Sequence, residues 1–298
     1  MPLFIYFFYT LFILAYYVPI SYVIAISDIT KEDIQKIFDE ITARKHYVTA
    51  NSILKLLSHI FNRAIEWGLI DKNPVHGIKR HKQESRSRYV TNEEMERVMK
   101  VLAEKENSQL TEEKKQLKIS EKLFLFTALF TAARSGNILA MRWDEISLSE
   151  KIWCIPKTKS KNAKTLYIGL ADKLIEVLQT RKLCSKSEWV LPSPTDNSKH
   201  ISSSTIHRAW AKIRKKAGIQ NVTIHDLRRT FATWMKNNGE TLDTISQILG
   251  HSNPNITKIY IIHSLAKAKI ATNKVVENML SIFGPNVCLN EILSGIVP

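Results

Sequence analysis

Apolar residues recur at helical spacing soon after the first charged side chain, Asp28. Ile34, Ile37, Phe38 and Ile41 fall on one helical face. Thr30, followed by Glu32 and Asp33, has the form of an N-cap with acid in the first turn. A second stripe, Ile53, Leu56, Leu57, Ile60, Phe61 and Ala64, predicts a helix from about Val48 to Trp67. Gly68 closes it, and Asn73-Pro74 stops the chain soon after. Together they predict a small all-helical unit at 27–80. Residues 79–88 (KRHKQESRSR) have charge without apolar periodicity, so 81–88 reads as a basic linker.

Thr91-Asn-Glu-Glu94 has the form of a capping box and opens a second unit at 89–282. A helix is expected to about Ala103, then an irregular polar insertion over 104–118, then an apolar helix from Leu123 to Ala132. Ile152–Ile155 and Thr165–Ile168 are short β-type runs, joined by the polar tract 157–164 as a hairpin turn. Helices are expected at about 171–182, 203–217, 225–237, 241–249 and 264–282, with a tail at 283–298. The predicted fold class is mainly α with a small β-sheet (α+β).

The first 26 residues break this pattern. They carry no charge and are dense in Phe, Tyr, Ile and Leu. The stretch is long enough for a bilayer, which needs about 20 apolar residues. It lacks the basic n-region and the small-residue cleavage site of a signal peptide, and Pro19 interrupts it. Three readings stand: a membrane anchor, a helix buried in the fold, or a remnant left where an upstream domain was truncated.

Composition sharpens the picture. The net charge is +15, from 43 Lys+Arg against 28 Asp+Glu, and all of it follows residue 26. Such a balance fits a polyanion, nucleic acid first, with anionic lipid or a merely solvated basic surface as alternatives. Cys154, Cys184 and Cys288 form no CxxC pair and no Cys/His cluster at zinc spacing. They read as reduced structural thiols of a cytoplasmic protein, and no metal or cofactor site is expected.

Four segments carry candidate chemistry: TAARSGN at 131–137, HDLRRTFAT at 225–233, LGHS at 249–252, and Tyr260, nine residues after His251. His225 and Arg228 are three apart and share one helical face. With Arg134 they suit an oxyanion such as phosphate, because guanidinium groups bind it in two-pronged fashion. The Tyr260 phenol is a weak nucleophile at its reference pKa of about 10 and needs a cationic pocket or a base to activate it. Each feature alone is far more often a structural pair, a salt bridge or packing.

Taken in order, these segments resemble the tyrosine recombinases, in the version found in integrases of temperate phages and genomic islands. The resemblance covers about 27–282, with NRAIEWGLIDKNP in the part similar to the family's helical core-binding domain. It implies a core-binding domain followed by a catalytic domain, closing around double-stranded DNA as a clamp. Arg134 and Arg228 would hold the scissile phosphate, His225 would assist proton transfer, and His251 would bond the phosphate or orient the nucleophile. Tyr260 would attack, leaving a 3′-phosphotyrosyl link and a free 5′-hydroxyl. A hairpin lysine would protonate the leaving oxygen. Lys159, in Thr-Lys-Ser, fits the motif's wording, whereas counting back from the second strand favours Lys161.

The resemblance further implies attachment-site DNA as substrate, a homotetramer on DNA, an accessory DNA-bending protein, and no ATP or metal. Apolar positions from Leu265 through Met279 are expected to pack on a neighbouring protomer, with packing inside the same chain as the alternative. Two departures are mild: Ala132 where Gly is usual and Gly169 where Pro is common. The third is the apolar Met1–Ile26 stretch where an arm-binding domain is expected. It leaves alternatives open: a truncated integrase that binds DNA without completing recombination, a membrane-tethered DNA-binding protein, or an enzyme of type IB topoisomerase kind.

Overall fold

Thr30 starts the first helix, as its side chain predicts. The computed structural model describes residues 25–83, 86–104, 110–160, 163–249 and 258–281, with backbone alone at 112, 247 and 258–265. Helix α1 spans Lys31–Ala43; the Asp33 amide donates to the Thr30 hydroxyl at 3.2 Å, and the Thr30 amide donates to the Asp33 carboxylate at 2.9 Å. Lys45, at φ 61°, turns the chain into α2, Tyr47–Glu66. Ile34, Phe38 and Ile41 pack against Ala50, Ile53, Leu54, Leu57 and Phe61. Gly68 takes φ +69° after α2, a conformation that suits a residue without a Cβ. The buried Asn73 side chain donates to Ser58 O at 3.0 Å and to Asn62 Oδ1 at 2.7 Å, which fixes the returning loop.

The tract read as a basic linker begins docked. The buried Asn51 side chain donates to His81 O at 2.8 Å and accepts from His81 N at 2.9 Å. The His81 ring stacks on Phe38 at 4.8 Å, with Nε2 2.8 Å from the Thr42 hydroxyl. The carboxamide thus offers the His81 peptide the donor–acceptor pair that a neighbouring strand would. The chain divides into two compact units, Met1–Arg86 and Ser87–Pro298.

In the second unit, α3 (Asn92–Ala103) starts on a Thr91–Glu94 capping box. Helix α4 runs Glu112–Thr131, so residues 112–118 of the expected irregular insertion are helical. Residues 112–118 are Glu, Lys, Gln and Leu, strong helix formers whose charges hide the apolar stripe until Ile119. The buried Leu123, Phe124, Phe126 and Phe130 make α4 the spine of the core. Next come α5 (Ser135–Leu139) and a three-stranded antiparallel sheet in order β1 (Ile146–Ser147), β2 (Ile152–Ile155), β3 (Leu166–Gly169). Trp153 pairs with Ile168, and both face the core. The remaining helices are α6 (Asp172–Cys184), α7 (Ser203–Lys216), α8 (Ile224–Asn237), α9 (Leu242–Ile248) and α10 (Lys258–Ser281).

Helix α10 begins six residues before the expected start at 264, which places Tyr260 in its first turn. Much of its apolar face packs within its own chain, against α9, α8, α4 and β3. Ala268, Ala271, Val275, Val276 and Met279 are all buried there. A Cβ at Gly169 would sit 3.4 Å from Lys269 Cβ, an ordinary contact distance, so α10 lies directly on β3. Asn273 and Asp172 secure the contact with two hydrogen bonds, and the Lys269 ammonium donates to Glu150 O at 3.0 Å. Among the described residues, no helix is long and apolar enough to cross a membrane. The apolar segment to residue 24, Lys161, His251 and the tail 283–298 lie outside the described residues.

Candidate active site

Arg134 owes its place to a left-handed turn. Helix α4 ends at Thr131, and Ala132 adopts φ 50°, ψ 21°. The Thr131 hydroxyl donates to Thr127 O at 2.6 Å and accepts from Ala133 N at 3.2 Å, closing the last turn on itself. The chain reverses, and Arg134 becomes the half-buried N-cap residue of α5.

Helix α8 supplies the next two groups. Its start is held by Asp226, fully buried, whose carboxylate accepts from the Thr223 amide and hydroxyl, both at 2.8 Å. Arg229 pairs with the same carboxylate at 2.6 Å. This anchor fixes His225 in the first turn and Arg228 one turn on, along the same face. The Thr230 hydroxyl accepts from Val90 N at 2.9 Å, tying α8 to the start of the unit. The Arg228 guanidinium donates from Nη1 to Ala132 O and from Nη2 to Leu249 O. It therefore bridges the carbonyl ends of α4 and α9 and points α8 at the turn that carries Arg134.

Electrostatics bring the three groups into one environment. Burial pushes the Arg228 pKa down to about 10, and the positive charge of Arg134 adds to the shift. His225 is held below the ordinary 6.5, first by lost solvation, then by Arg229, Arg228 and Arg134, with Asp226 opposing. His225 is exposed overall, so the charge of the three arginines is the firmer cause. Like charges gathered with partial loss of water make a locus of positive potential, which an oxyanion would relieve.

Lys159 stands at the root of the β2–β3 hairpin. Its ammonium donates to Ala140 O at 2.7 Å and pairs with Glu145, 5.6 Å from the Trp189 ring centre. Tyr260 belongs to α10 by its backbone, and its side chain lies outside the described residues, as does the whole of His251. Arg134, His225 and Arg228 are thus brought together, and Lys159 is held by other partners. Sequence reading missed two residues that organise the site. Asp226 had a legible signal, Thr223 three residues before it. Glu145 had none, because its partners come from β2 and the hairpin.

Comparison with known proteins fits this geometry. The phage integrase family matches residues 88–267, and the phage integrase central domain matches 12–81. The integrase of Salmonella phage P22 is 24% identical over 248 residues, 79% of this chain and 57% of that protein. The chain therefore spans little more than half the length of that relative. A XerC-like tyrosine recombinase of Caldanaerobacter subterraneus is 26% identical over 294 residues, 85% of this chain and 72% of that one. A lambda integrase dimer bound to a COC′ core site shares the fold, with a TM-score of 0.63 at 20% identity, covering 86% of this chain and 87% of that one. With Arg134 on its short turn, the His-x-x-Arg helix and the match over 88–267, the chain belongs to the phage integrase family of tyrosine recombinases.

Proposed function

We propose that this protein is a cytoplasmic site-specific DNA recombinase that cuts and rejoins double-stranded DNA through a covalent bond to Tyr260. The observation that carries the reading is the convergence of Arg134, Arg228 and His225 on one positive locus, inside the segment that matches the family. The two guanidiniums bind the scissile phosphate and stabilise the charge of the pentacoordinate transition state; removal of one such donor typically costs about 10²–10³ in rate. The Tyr260 oxygen attacks phosphorus, and the bond to the 5′ oxygen breaks. That oxygen takes a proton from Lys159, leaving a 3′-phosphotyrosyl link and a 5′-hydroxyl. His225, its pKa lowered by burial and by its arginine neighbours, is suited to accept or pass the nucleophile's proton. His251 bonds the phosphate. The partner strand's 5′-hydroxyl then attacks the phosphotyrosyl bond and reverses the step, so the energy of the original bond is retained. The substrate is attachment-site DNA, the working assembly a homotetramer on that DNA, and an accessory DNA-bending protein assists.

The test is covalent trapping with the full chain and a nicked duplex built from DNA flanking the gene. A DNA adduct that survives denaturation and is absent from Tyr260→Phe is the expected result. Salt-sensitive binding without any adduct would overturn the enzymatic reading and leave a DNA-binding integrase remnant. Recovery of the protein only in detergent-extracted membranes would favour the anchored alternative.

A further inference from the structure

Glu145 is a buried carboxylate with every oxygen engaged. It ends the short 3-10 turn Trp143–Glu145, and its side chain is 8% exposed. Oε2 accepts from Arg142 N at 3.2 Å and from the Trp153 indole at 3.3 Å, and Oε1 accepts from the Lys159 ammonium. A buried carboxylate stripped of its cation is strongly destabilised, so this pair is held firmly.

The lysine side of the pair is held as well. An ammonium has three donors. One goes to Glu145, one goes to Ala140 O at 2.7 Å, and the group lies over the Trp189 face at 5.6 Å. Trp189 is itself fixed: its indole donates to Ser198 O at 3.0 Å, Arg142 lies 5.2 Å from the ring centre, and His200 meets it edge-on at 5.3 Å. Ala140 is the C-cap of α5 and Arg134 is its N-cap. At 1.5 Å rise per residue the two ends are roughly 9 Å apart along the axis. The ammonium is thus anchored at the end of α5 remote from Arg134, with two of its three donors committed to this chain.

We propose that Glu145 is a positioning residue that parks Lys159 in the DNA-free protein, and that the acid step requires Lys159 to leave Glu145 for the scissile phosphate. The inference rests on the recombinase reading. On release, the ammonium gives one proton to the departing 5′ oxygen and becomes a neutral amine. Glu145 remains behind with the Arg142 amide and the Trp153 indole, so release is unfavourable until a phosphate replaces the lost partner. The parked fraction sets a ceiling on the cleavage rate, because only the released population is competent.

The experiment compares two nicked duplexes of the same sequence, trapped with the full chain. One has the ordinary 5′ oxygen leaving group. The other has a bridging 5′ sulfur, which departs as a thiolate and needs no proton donor. Glu145→Gln keeps an acceptor for the Arg142 amide and the Trp153 indole but loses the charge that holds Lys159. It is expected to form adduct about three- to tenfold faster than wild type on the oxygen substrate, and at the wild-type rate on the sulfur substrate. Lys159→Ala should lose about 10²–10⁴ on oxygen and recover on sulfur. An unchanged or slower Glu145→Gln on oxygen, or an equal change on both substrates, overturns the inference while the wild-type adduct keeps the recombinase reading intact. No wild-type adduct on either substrate removes that reading and this one with it. A second measurement covers the case of a variant that fails to fold. Amine acylation of Lys159 in the wild-type protein, read by mass spectrometry, should be slow in free protein and change on forming the DNA adduct; protection identical in both states overturns parking.

Discussion

Arg228 carries two tasks on one guanidinium. It joins the carbonyl ends of α4 and α9 at Ala132 and Leu249, and it contributes charge beside Arg134. Lysine keeps the charge but is a compact donor without the planar fork that reaches both carbonyls here. Arg228→Lys is therefore expected to lose stability, about 1–3 kcal/mol from a buried acceptor left unpaired, and about 10²–10³ in adduct formation. Urea denaturation and trapping measure the two losses separately; lost cleavage at unchanged stability would mean that the bridges to Ala132 and Leu249 hold nothing together. His225 answers to pH instead. Its folded pKa lies below the ordinary 6.5, so between those values the folded state binds fewer protons than the unfolded chain. The stability this group contributes is complete above the unfolded value and is lost as pH falls through the folded one. Relative to His225→Gln, wild type should lose melting temperature between pH 7 and pH 5 and show no difference above pH 7. Phosphate bound between Arg134 and Arg228 would cancel part of the positive field, so the His225 ring signal should titrate at higher pH in the DNA complex; a titration unmoved by DNA would place the phosphate elsewhere.

Ala132 shows how an element end is decided by competing terms. A left-handed conformation costs an L-residue roughly 1–2 kcal/mol, which explains why glycine is usual at such a turn. Yet Ala132 is fully buried. Glycine there would forfeit about 0.8 kcal/mol of methyl burial and about 0.4–1 kcal/mol through the looser unfolded chain. The terms cancel, so Ala132→Gly should change stability by less than about 1 kcal/mol in thermal denaturation, whereas Ala132→Val should destabilise strongly because a branched Cβ fits neither the turn nor the space. The same contrast between local and distant causes explains what could be read from the sequence. The starts of α1 and α3 were legible because Thr30–Asp33 and Thr91–Glu94 are capping boxes closed within four residues. The grouping of His225 with Arg228 was legible because one helical turn relates them. The first two turns of α4 were not, because their charged residues show propensity without periodicity. Nor was the early start of α10, which places Tyr260 on a helix that β3 and Asp172 hold from below. The partners of Lys159 were least legible of all: fourteen residues and a strand reversal separate it from Glu145.

At the scale of the whole molecule, charge is the property that remains to be placed. The net +15 is spread along the chain, but α7 concentrates it: Arg208, Lys212, Arg214, Lys215 and Lys216 stand on one helix without a carboxylate. They are not equivalent. Lys216 already pairs with Glu104 at 2.5 Å, and Arg214 is partly buried, with a buried Nε. Lys212 and Lys215 are exposed and four or fewer residues apart, on one side of the helix. Protein–DNA affinity falls with salt by about 0.9 in the log–log slope for each phosphate neutralised. If α7 lies against the DNA backbone, Lys212→Gln and Lys215→Gln should each weaken binding on every duplex tested and make the slope shallower by about 1. Lys216→Gln should do less, because part of its charge is already answered by Glu104. Binding isotherms between about 50 and 200 mM salt read all three. Equal slopes for the three variants and wild type would remove α7 from the interface. A loss confined to one sequence would instead make it a reader of bases, since phosphate contacts position a protein without choosing sequence. Once bound at saturating protein, the Lys212 and Lys215 variants should form adduct at the wild-type rate, because neither residue touches the Arg134–Arg228 locus. Affinity and chemistry would then separate cleanly: a basic helix for attraction, and a turn, a helix start and a parked lysine for the reaction.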